Sequence, residues 1–273
     1  MTVLMRRFSV AAALLAATML GWAFPTLYGD SGLVQVPTAD VLPDTFVELS
    51  MNYAAVNIDG QKPILYPLRL TYGASENTEL FVNVSETSAK NAEGGFDGLG
   101  AGFKVQIIPE RLQSKSPGLA FGARLIELNG AVDRTQIEGY GVVTKTLYKQ
   151  ADLVDEVGFT IRGHLAGIFT RFSGEIPSKD FITAGVGLSY NNFNGTSIAL
   201  DYLPKLESGG VEYRKACFSA AVRRPLSKEF LIELGTTQPY GIGSSGQLYA
   251  GLMYQWGIRD APTKREPRVD AGY

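Results

Sequence analysis

Cysteine, histidine and long apolar runs are scarce in this chain of 273 residues, which holds one Cys and one His. A single cysteine excludes an internal disulfide. One cysteine and one histidine together form no recognisable set of metal ligands. Cys217 also lies too far along the chain to be the acylated N-terminal Cys of a lipoprotein. After residue 23, charges or glycines interrupt every apolar stretch before the roughly 20 residues that a membrane-spanning helix needs. We therefore predict no metal, no cofactor and no spanning helix beyond the N-terminal region.

A basic excess is lacking too, since 25 Lys and Arg stand against 27 Asp and Glu. This balance argues against nucleic acid as a partner. At the N-terminus, Arg6 and Arg7 precede an apolar run that ends in Gly21-Trp22-Ala23, the three-part layout of a secretory signal peptide. We predict a signal peptide over residues 1–23, and hence an exported protein.

What the chain does have is alternation. Six apolar residues occupy every second position near the C-terminus, and glycine, methionine or polar residues stand between most of them: Leu248, Ala250, Leu252, Tyr254, Trp256 and Ile258. Successive side chains of a strand point to opposite faces, so this pattern predicts a strand with one apolar and one wet face. It returns about twelve times after residue 45. We predict an all-β fold, an antiparallel transmembrane β-barrel of about twelve strands, an even number.

The links between the predicted strands support this architecture, because short turns tend to alternate with longer polar links such as Thr170 to Asp180. That asymmetry is typical of outer-membrane barrels. A soluble β-sandwich also alternates polar and apolar residues. The tyrosines and Trp256 near strand ends favour the barrel, since aromatic girdles mark the two membrane interfaces.

The barrel is predicted to occupy residues 46–259, with one of its strands running from Tyr213 to Arg224. Residues 24–45 do not alternate and contain three prolines, so we predict a segment that crosses the periplasmic mouth or enters the lumen. Residues 260–273 form a polar C-terminal tail.

Part of that N-terminal segment, Gly32-Leu33-Val34-Gln35-Val36-Pro37-Thr38-Ala39, resembles the N-terminal signature of the YjbH-type outer-membrane proteins associated with exopolysaccharide production. Further similarities are Leu70-Thr71-Tyr72-Gly73 with Glu79-Leu80, the stretch Phe103 to Glu110, and Pro117 to Gly122. The resemblance implies an outer-membrane β-barrel that assists export or surface organisation of polysaccharide. Family members are typically longer and often lipoproteins, so a short, single-barrel version fits this chain.

Charged and polar residues on the non-apolar strand faces are the candidate lining of the lumen. They are Glu48, Arg69, Lys104, Arg124, Lys145, Arg162, His164, Asp201, Arg223 and Glu233. In this set positive groups outnumber negative ones, which predicts a passage or cavity that favours anions such as acidic sugars. The alternative is that these charges pair across the barrel and fill it, as in other small barrels.

His164 is the one histidine, and a hydrolase would need it beside a nucleophilic serine. No serine lies near it in sequence, although a neighbouring strand could supply one. A hydrogen-bonded or solvated lumen histidine is the simpler interpretation, so we predict no catalytic residues and a protein that is not an enzyme. Three function classes stay open: an outer-membrane barrel in exopolysaccharide export or cell-surface organisation, including a small anion-favouring channel; a barrel enzyme acting on lipid or lipopolysaccharide; and a structural barrel that docks periplasmic partners. The expected location is the outer membrane of a Gram-negative bacterium. The expected partners are outer-membrane lipid, the barrel assembly machinery, and acidic polysaccharide or periplasmic export proteins.

Overall fold

The wall of the molecule is a single sheet whose first and last strands pair with each other. The computed structural model describes residues 26–55, 63–88, 95–110, 116–130, 133–150, 159–192, 195–241 and 247–257. The predicted signal peptide and the C-terminal tail lie outside these ranges. Within them, no helix is long and apolar enough to cross a membrane.

Fourteen strands are present in the described residues. They are β1 (Phe46–Ala55), β2 (Ile64–Ser75), β3 (Thr78–Thr87), β4 (Phe96–Ile108), β5 (Gly118–Gly130), β6 (Arg134–Gln150), β7 (Phe159–Gly174), β8 (Lys179–Asn192), β9 (Ser197–Leu203), β10 (Leu206–Ser208), β11 (Val211–Arg214), β12 (Cys217–Pro225), β13 (Phe230–Thr237) and β14 (Gln247–Gly257). A 3₁₀ turn covers Pro239–Gly241.

Twelve of these strands form a closed antiparallel barrel, and β10 and β11 form a separate hairpin. The barrel closes where β1 pairs with β14, from Phe46 opposite Gly257 to Ala54 opposite Tyr249. Closure leaves no unpaired sheet edge, which is the condition for a sheet to lie in a bilayer. The predicted transmembrane barrel of about twelve strands is confirmed. We call the mouth beside Phe46 and Gly257 the proximal mouth and the opposite one the distal mouth.

The outer face of the barrel is apolar. Large hydrophobic side chains are exposed along most strands, for example Leu68, Val84, Leu125 and Leu165. A surface of this extent marks contact with an apolar medium. Aromatic pairs lie near both ends: Tyr53 contacts Tyr66 towards the distal mouth, and Tyr254 stacks on Trp256 at the proximal mouth. They form the girdles expected at two membrane interfaces.

Two predicted boundaries were wrong. The strand predicted over Tyr213 to Arg224 is broken at Lys215 and Ala216, so that Tyr213 belongs to the hairpin and the barrel strand begins at Cys217. The link predicted over Thr170 to Asp180 is mostly strand, because β7 and β8 continue pairing out to Phe172 and Lys179. A run of polar residues can either extend a β-ladder beyond the bilayer or form the loop that ends it. Hydropathy alone does not distinguish these two cases.

Candidate functional site

The lumen of the barrel holds the chain's own N-terminal segment. Residues 26–42, which we call the plug segment, run inside the wall, and nearly all of them are buried. Of the two positions predicted for residues 24–45, the described part takes the lumen. It is a compact loop, in which Leu33 donates its backbone N–H to the carbonyl of Val36 and Leu27 donates to Val34. The predicted lumen residues that reach the plug segment therefore contact protein and do not line an open passage there.

Asp201 is the clearest case of a wall residue that binds the plug segment. One of its carboxylate oxygens accepts hydrogen bonds from three successive backbone N–H groups of the plug segment, at 2.9 Å from Val34, 2.6 Å from Gln35 and 3.0 Å from Val36. Successive backbone N–H groups form an anion-binding concavity, and a carboxylate is a strong acceptor for it. Asp201 therefore anchors the centre of the plug segment to β9.

Arg223 anchors the adjoining turn from the neighbouring strand. Its guanidinium donates to the carbonyl oxygens of Gly32 at 3.1 Å and Leu33 at 2.5 Å, and its Nε lies 2.7 Å from Glu233. The carboxylate of Asp201 thus binds N–H groups and the guanidinium of Arg223 binds carbonyls. Together they supply hydrogen-bond partners for the N–H and C=O groups of a buried turn. Without them, these backbone groups would need water as a partner.

A second acid holds the plug segment at two points, Ser31 and its last residue, Leu42. Glu79, fully buried on β3, accepts from the backbone of Ser31 at 2.7 Å and of Leu42 at 2.8 Å. Lys104 lies 3.0 Å from Glu79 and donates to the carbonyl of Ser31 at 2.7 Å. Glu79 was not among the predicted lumen residues, although its alternation with the apolar Leu80 and Val82 places it on the inward face.

Two arginines hold the start of the segment. Arg69 donates to the carbonyl of Thr26 and, at 2.5 Å, to Asn52. Arg124 donates to Glu138 at 2.5 Å and to Asp30 at 3.2 Å, and its guanidinium lies 3.7 Å from the ring centre of Tyr28. Glu138 was also missed, and the alternation around Ile137 would have placed it inward. Glu48 is buried on the lumen face of β1.

The predicted basic excess is absent from the buried lumen. Six basic side chains of the described residues are buried (Arg69, Lys104, Arg124, Arg134, Arg214 and Arg223), and so are six acidic ones (Asp30, Glu48, Glu79, Glu138, Asp201 and Glu233). The plug segment itself supplies one of the acids. The described lumen is thus filled and close to neutral, which matches the paired alternative more closely than an open basic passage.

At the proximal mouth the charges meet solvent. Arg162 donates to both oxygens of Asp40, at 2.6 Å and 2.9 Å, and to Glu110 at 3.0 Å. Lys145 lies 3.9 Å from Glu110, but the prediction that it lines the lumen was wrong, because it shares the outward-facing side of β6 with Val143. The Asp40 side chain is 35% exposed. Burial raises the pKa of Asp40, but the facing guanidinium outweighs it and holds that pKa below its usual range.

His164 lies beside this cluster, on β7. Its Nε2 is 3.0 Å from the hydroxyl of Ser189 and its Nδ1 is 3.0 Å from that of Thr144, which accepts the backbone N–H of Ala39 at 2.8 Å. A serine is thus within hydrogen-bond distance, brought by a strand 25 residues later. The orienting partner is a hydroxyl, where a catalytic triad has a carboxylate. No group of three or more metal-ligating side chains occurs among the residues described.

Comparison with known proteins adds likeness of shape only. No family model matches the sequence, and no curated protein matches it. Among solved structures, an outer membrane channel from Pseudomonas putida F1 matches with a TM-score of 0.43 and 12% identity, over 81% of this chain and 98% of that one. The Acinetobacter baumannii outer membrane protein Omp33 matches with a TM-score of 0.40 and 10% identity, over 78% and 99%. The barrel assignment rests on the strand pairing of this chain.

Proposed function

We propose that the protein is an outer-membrane barrel, closed by its own N-terminal segment, that acts in exopolysaccharide export or cell-surface organisation by docking periplasmic export proteins. The burial of the plug segment carries this proposal, because a lumen occupied from Thr26 to Leu42 leaves little room for a solute. The stretch Gly32 to Ala39, which carries the resemblance to YjbH-type proteins, is the part that Asp201 and Arg223 hold.

The proximal mouth supplies the surface for docking. Asp40 and Val41 are only partly buried there, and the ion pairs of Arg162 stand at the same mouth. In outer-membrane barrels the short turns face the periplasm, and here the tight turns at Glu76-Asn77 and Leu226 to Glu229 are at the proximal mouth, whereas the short link 175–178 between β7 and β8 is at the distal mouth. The first two turns support a periplasmic proximal mouth. A periplasmic partner with a charged surface would therefore meet the exposed end of the plug segment first.

Conductance in planar bilayers separates this proposal from a permanently open channel. The full-length protein purified from membranes is compared with a variant that lacks residues 26–42. We expect wild type to insert without steady conductance and the deletion to conduct, because only the deletion empties the lumen. Steady conductance of wild type at the level of the deletion would overturn the closed barrel and favour the small anion-favouring channel.

The cellular role needs its own test. We expect a strain lacking the gene to lose surface-associated exopolysaccharide, and wild type to restore it. Reversing one charge at the proximal mouth, Asp40→Lys, should restore it poorly, because it opposes Arg162 and alters the docking surface; Asp180→Lys, at the distal end, is the matched control. Unchanged polysaccharide in the deletion strain would refute the export role.

A barrel enzyme acting on lipid or lipopolysaccharide is the second candidate, favoured by the contact between His164 and Ser189. If it hydrolyses esters, Ser189→Ala and His164→Ala should each abolish hydrolysis of a short-chain nitrophenyl ester, while Ser219→Ala, on another lumen-facing site, should not. Equal rates in all four proteins would exclude this candidate.

A further inference from the structure

Three buried guanidinium groups meet beneath the hairpin β10–β11 at the distal mouth. Arg124, Arg134 and Arg214 are each no more than 5% exposed. Nη1 of Arg214 lies 3.7 Å from one oxygen of Glu138, and Nε of Arg124 lies 2.5 Å from the other. Arg134 donates to the carbonyl of Tyr213, the residue before Arg214, at 2.7 Å. Two of the three cations therefore contact one carboxylate, and the third binds the backbone beside Arg214.

The charges of this group do not cancel. A guanidinium stays protonated in proteins, so three positive charges are present. Among the residues that the structure describes, the carboxylates that contact them are Glu138 and Asp30, the latter 3.2 Å from Arg124. Burying a charge without a counter-charge is strongly unfavourable. One more negative charge at this place would balance the group.

The hydrogen bonds show the same deficit. Nη2 of Arg124, Nε of Arg134, and both Nε and Nη1 of Arg214 are buried and have no hydrogen-bond partner among the described residues. Each of them carries a donor, and a buried donor without an acceptor is strongly unfavourable. Four such nitrogens on three neighbouring side chains require acceptor oxygens that the described residues do not supply.

We propose that this cluster, the distal arginine site, binds the carboxylate of a small ligand between the hairpin and Glu138. A carboxylate brings one negative charge and two acceptor oxygens in a plane, which matches the donor fork of a guanidinium. The carboxylate belongs to an acidic sugar or to a simple organic acid. The assignment to an acidic sugar rests on the proposed function in exopolysaccharide export. The binding of a carboxylate does not rest on it.

The hairpin makes the site a covered one. Gly209 and Gly210, both with positive φ, form its tight turn, and Tyr213 packs against Phe172 and Phe181 of the wall. Arg134 also donates to the carbonyl of Tyr240 at 2.7 Å, which joins the 3₁₀ turn to the same cover. A ligand here is shielded from salt, so its ion pairs are screened less than surface pairs.

The test is calorimetric titration of the purified full-length protein in detergent with sodium acetate, sodium glucuronate and sodium chloride at constant ionic strength. We expect acetate and glucuronate to bind, and Arg214→Gln to weaken both at least about tenfold, the size of a lost charge-assisted hydrogen bond. Arg171→Gln, at an exposed arginine of the distal end, should leave binding unchanged. Acetate binding without glucuronate binding would support the site and assign it to a simple organic acid.

A second variant guards against a folding defect. Glu138→Gln removes the competing carboxylate, so it should tighten acetate binding, whereas a merely damaged site would bind more weakly. Absence of binding to wild type, or equal binding of wild type, Arg214→Gln and Glu138→Gln, would overturn the proposal. Because the titration needs no export activity, carboxylate binding together with unchanged polysaccharide in the deletion strain would refute the export role and keep the site.

Discussion

Oδ2 of Asp201, on the barrel wall, lies 2.6 Å from the backbone nitrogen of Gln35, in the middle of the plug segment. The two residues are 166 positions apart in the chain. The same oxygen accepts from the residues on either side of Gln35, so one wall carboxylate fixes three consecutive peptide groups. A segment held in this way is part of the folded barrel. Mutating the wall residues that bind it therefore tests how much these contacts stabilise the protein.

Replacing the anchor should loosen the segment. Asp201→Asn removes the negative charge and leaves one weaker acceptor, and we expect the free energy of unfolding to fall by about 1–3 kcal/mol, the range for a hydrogen bond to a charged group. The measurement is urea unfolding in lipid vesicles. The control is Asp180→Asn, whose exposed pair with Arg171 is worth less than about 1 kcal/mol. Equal effects of the two variants would contradict the anchoring role.

A glycine opposite the plug segment gives a steric test. A Cβ on Gly187 would clash with Cδ1 of Leu33 and stand 2.8 Å from the carbonyl oxygen of Leu200, so Gly187→Ala should displace the Leu33 side chain and lower stability by about 1–3 kcal/mol, as overpacking does. Gly167→Ala is the control, because nothing lies within 4 Å of its Cβ position.

The contact between Gly187 and Leu33 can be isolated with a double mutant. Leu33→Ala creates space for the new methyl group, so the loss in Gly187→Ala with Leu33→Ala should be smaller than the sum of the two single losses by about 0.5–3 kcal/mol. Strict additivity would show that Leu33 does not rest on Gly187.

The ion pair of Asp40 and Arg162 predicts a dependence on pH. An unfolded Asp carboxyl titrates near about 3.9, and in the folded protein Arg162 lowers the pKa of Asp40. The stabilisation is therefore complete above the unfolded pKa and is lost as the pH falls through the lower folded pKa. Since Asp40 is partly exposed, screening limits its size to about 1 kcal/mol.

This dependence is measured as the difference in unfolding free energy between wild type and Asp40→Asn from pH 2 to pH 7. We expect a constant difference above pH of about 4 and a shrinking one below it. Asp180→Asn, measured over the same range, reports the behaviour of an exposed pair. A difference that grows on acidification has the wrong sign and would exclude the proposed pairing.

The loss of stability caused by a charge on the outer face should depend on the depth of that charge in the membrane. Leu252, in the middle of β14, and Leu248, near its distal end, are both exposed. On a lipid-facing barrel surface, Leu252→Arg should cost about 2–4 kcal/mol and Leu248→Arg about 0–1 kcal/mol. The readout is unfolding from lipid vesicles. Equal, small losses would place β14 outside the hydrocarbon region.

The alternation of side chains predicted much of the wall. It placed Arg69, Lys104, Arg124, Asp201 and Arg223 on one face, and the structure has these side chains buried on the lumen side, because a strand must send alternate residues to opposite faces. It did not predict which charges pair. Glu138 bonds with Arg124, directly opposite it on β5, but it also lies 3.7 Å from Arg214 of the hairpin, a contact that depends on how the hairpin packs against the barrel.

The sequence by itself determined the class of fold, since a period of two over many short segments is satisfied only by strands, and an apolar face all round calls for a closed barrel in lipid. Only the tertiary structure decided that the lumen is occupied. The plug segment has no periodicity that predicts its place, and its burial becomes favourable only when Glu79, Asp201 and Arg223 converge from three separate strands to satisfy its backbone.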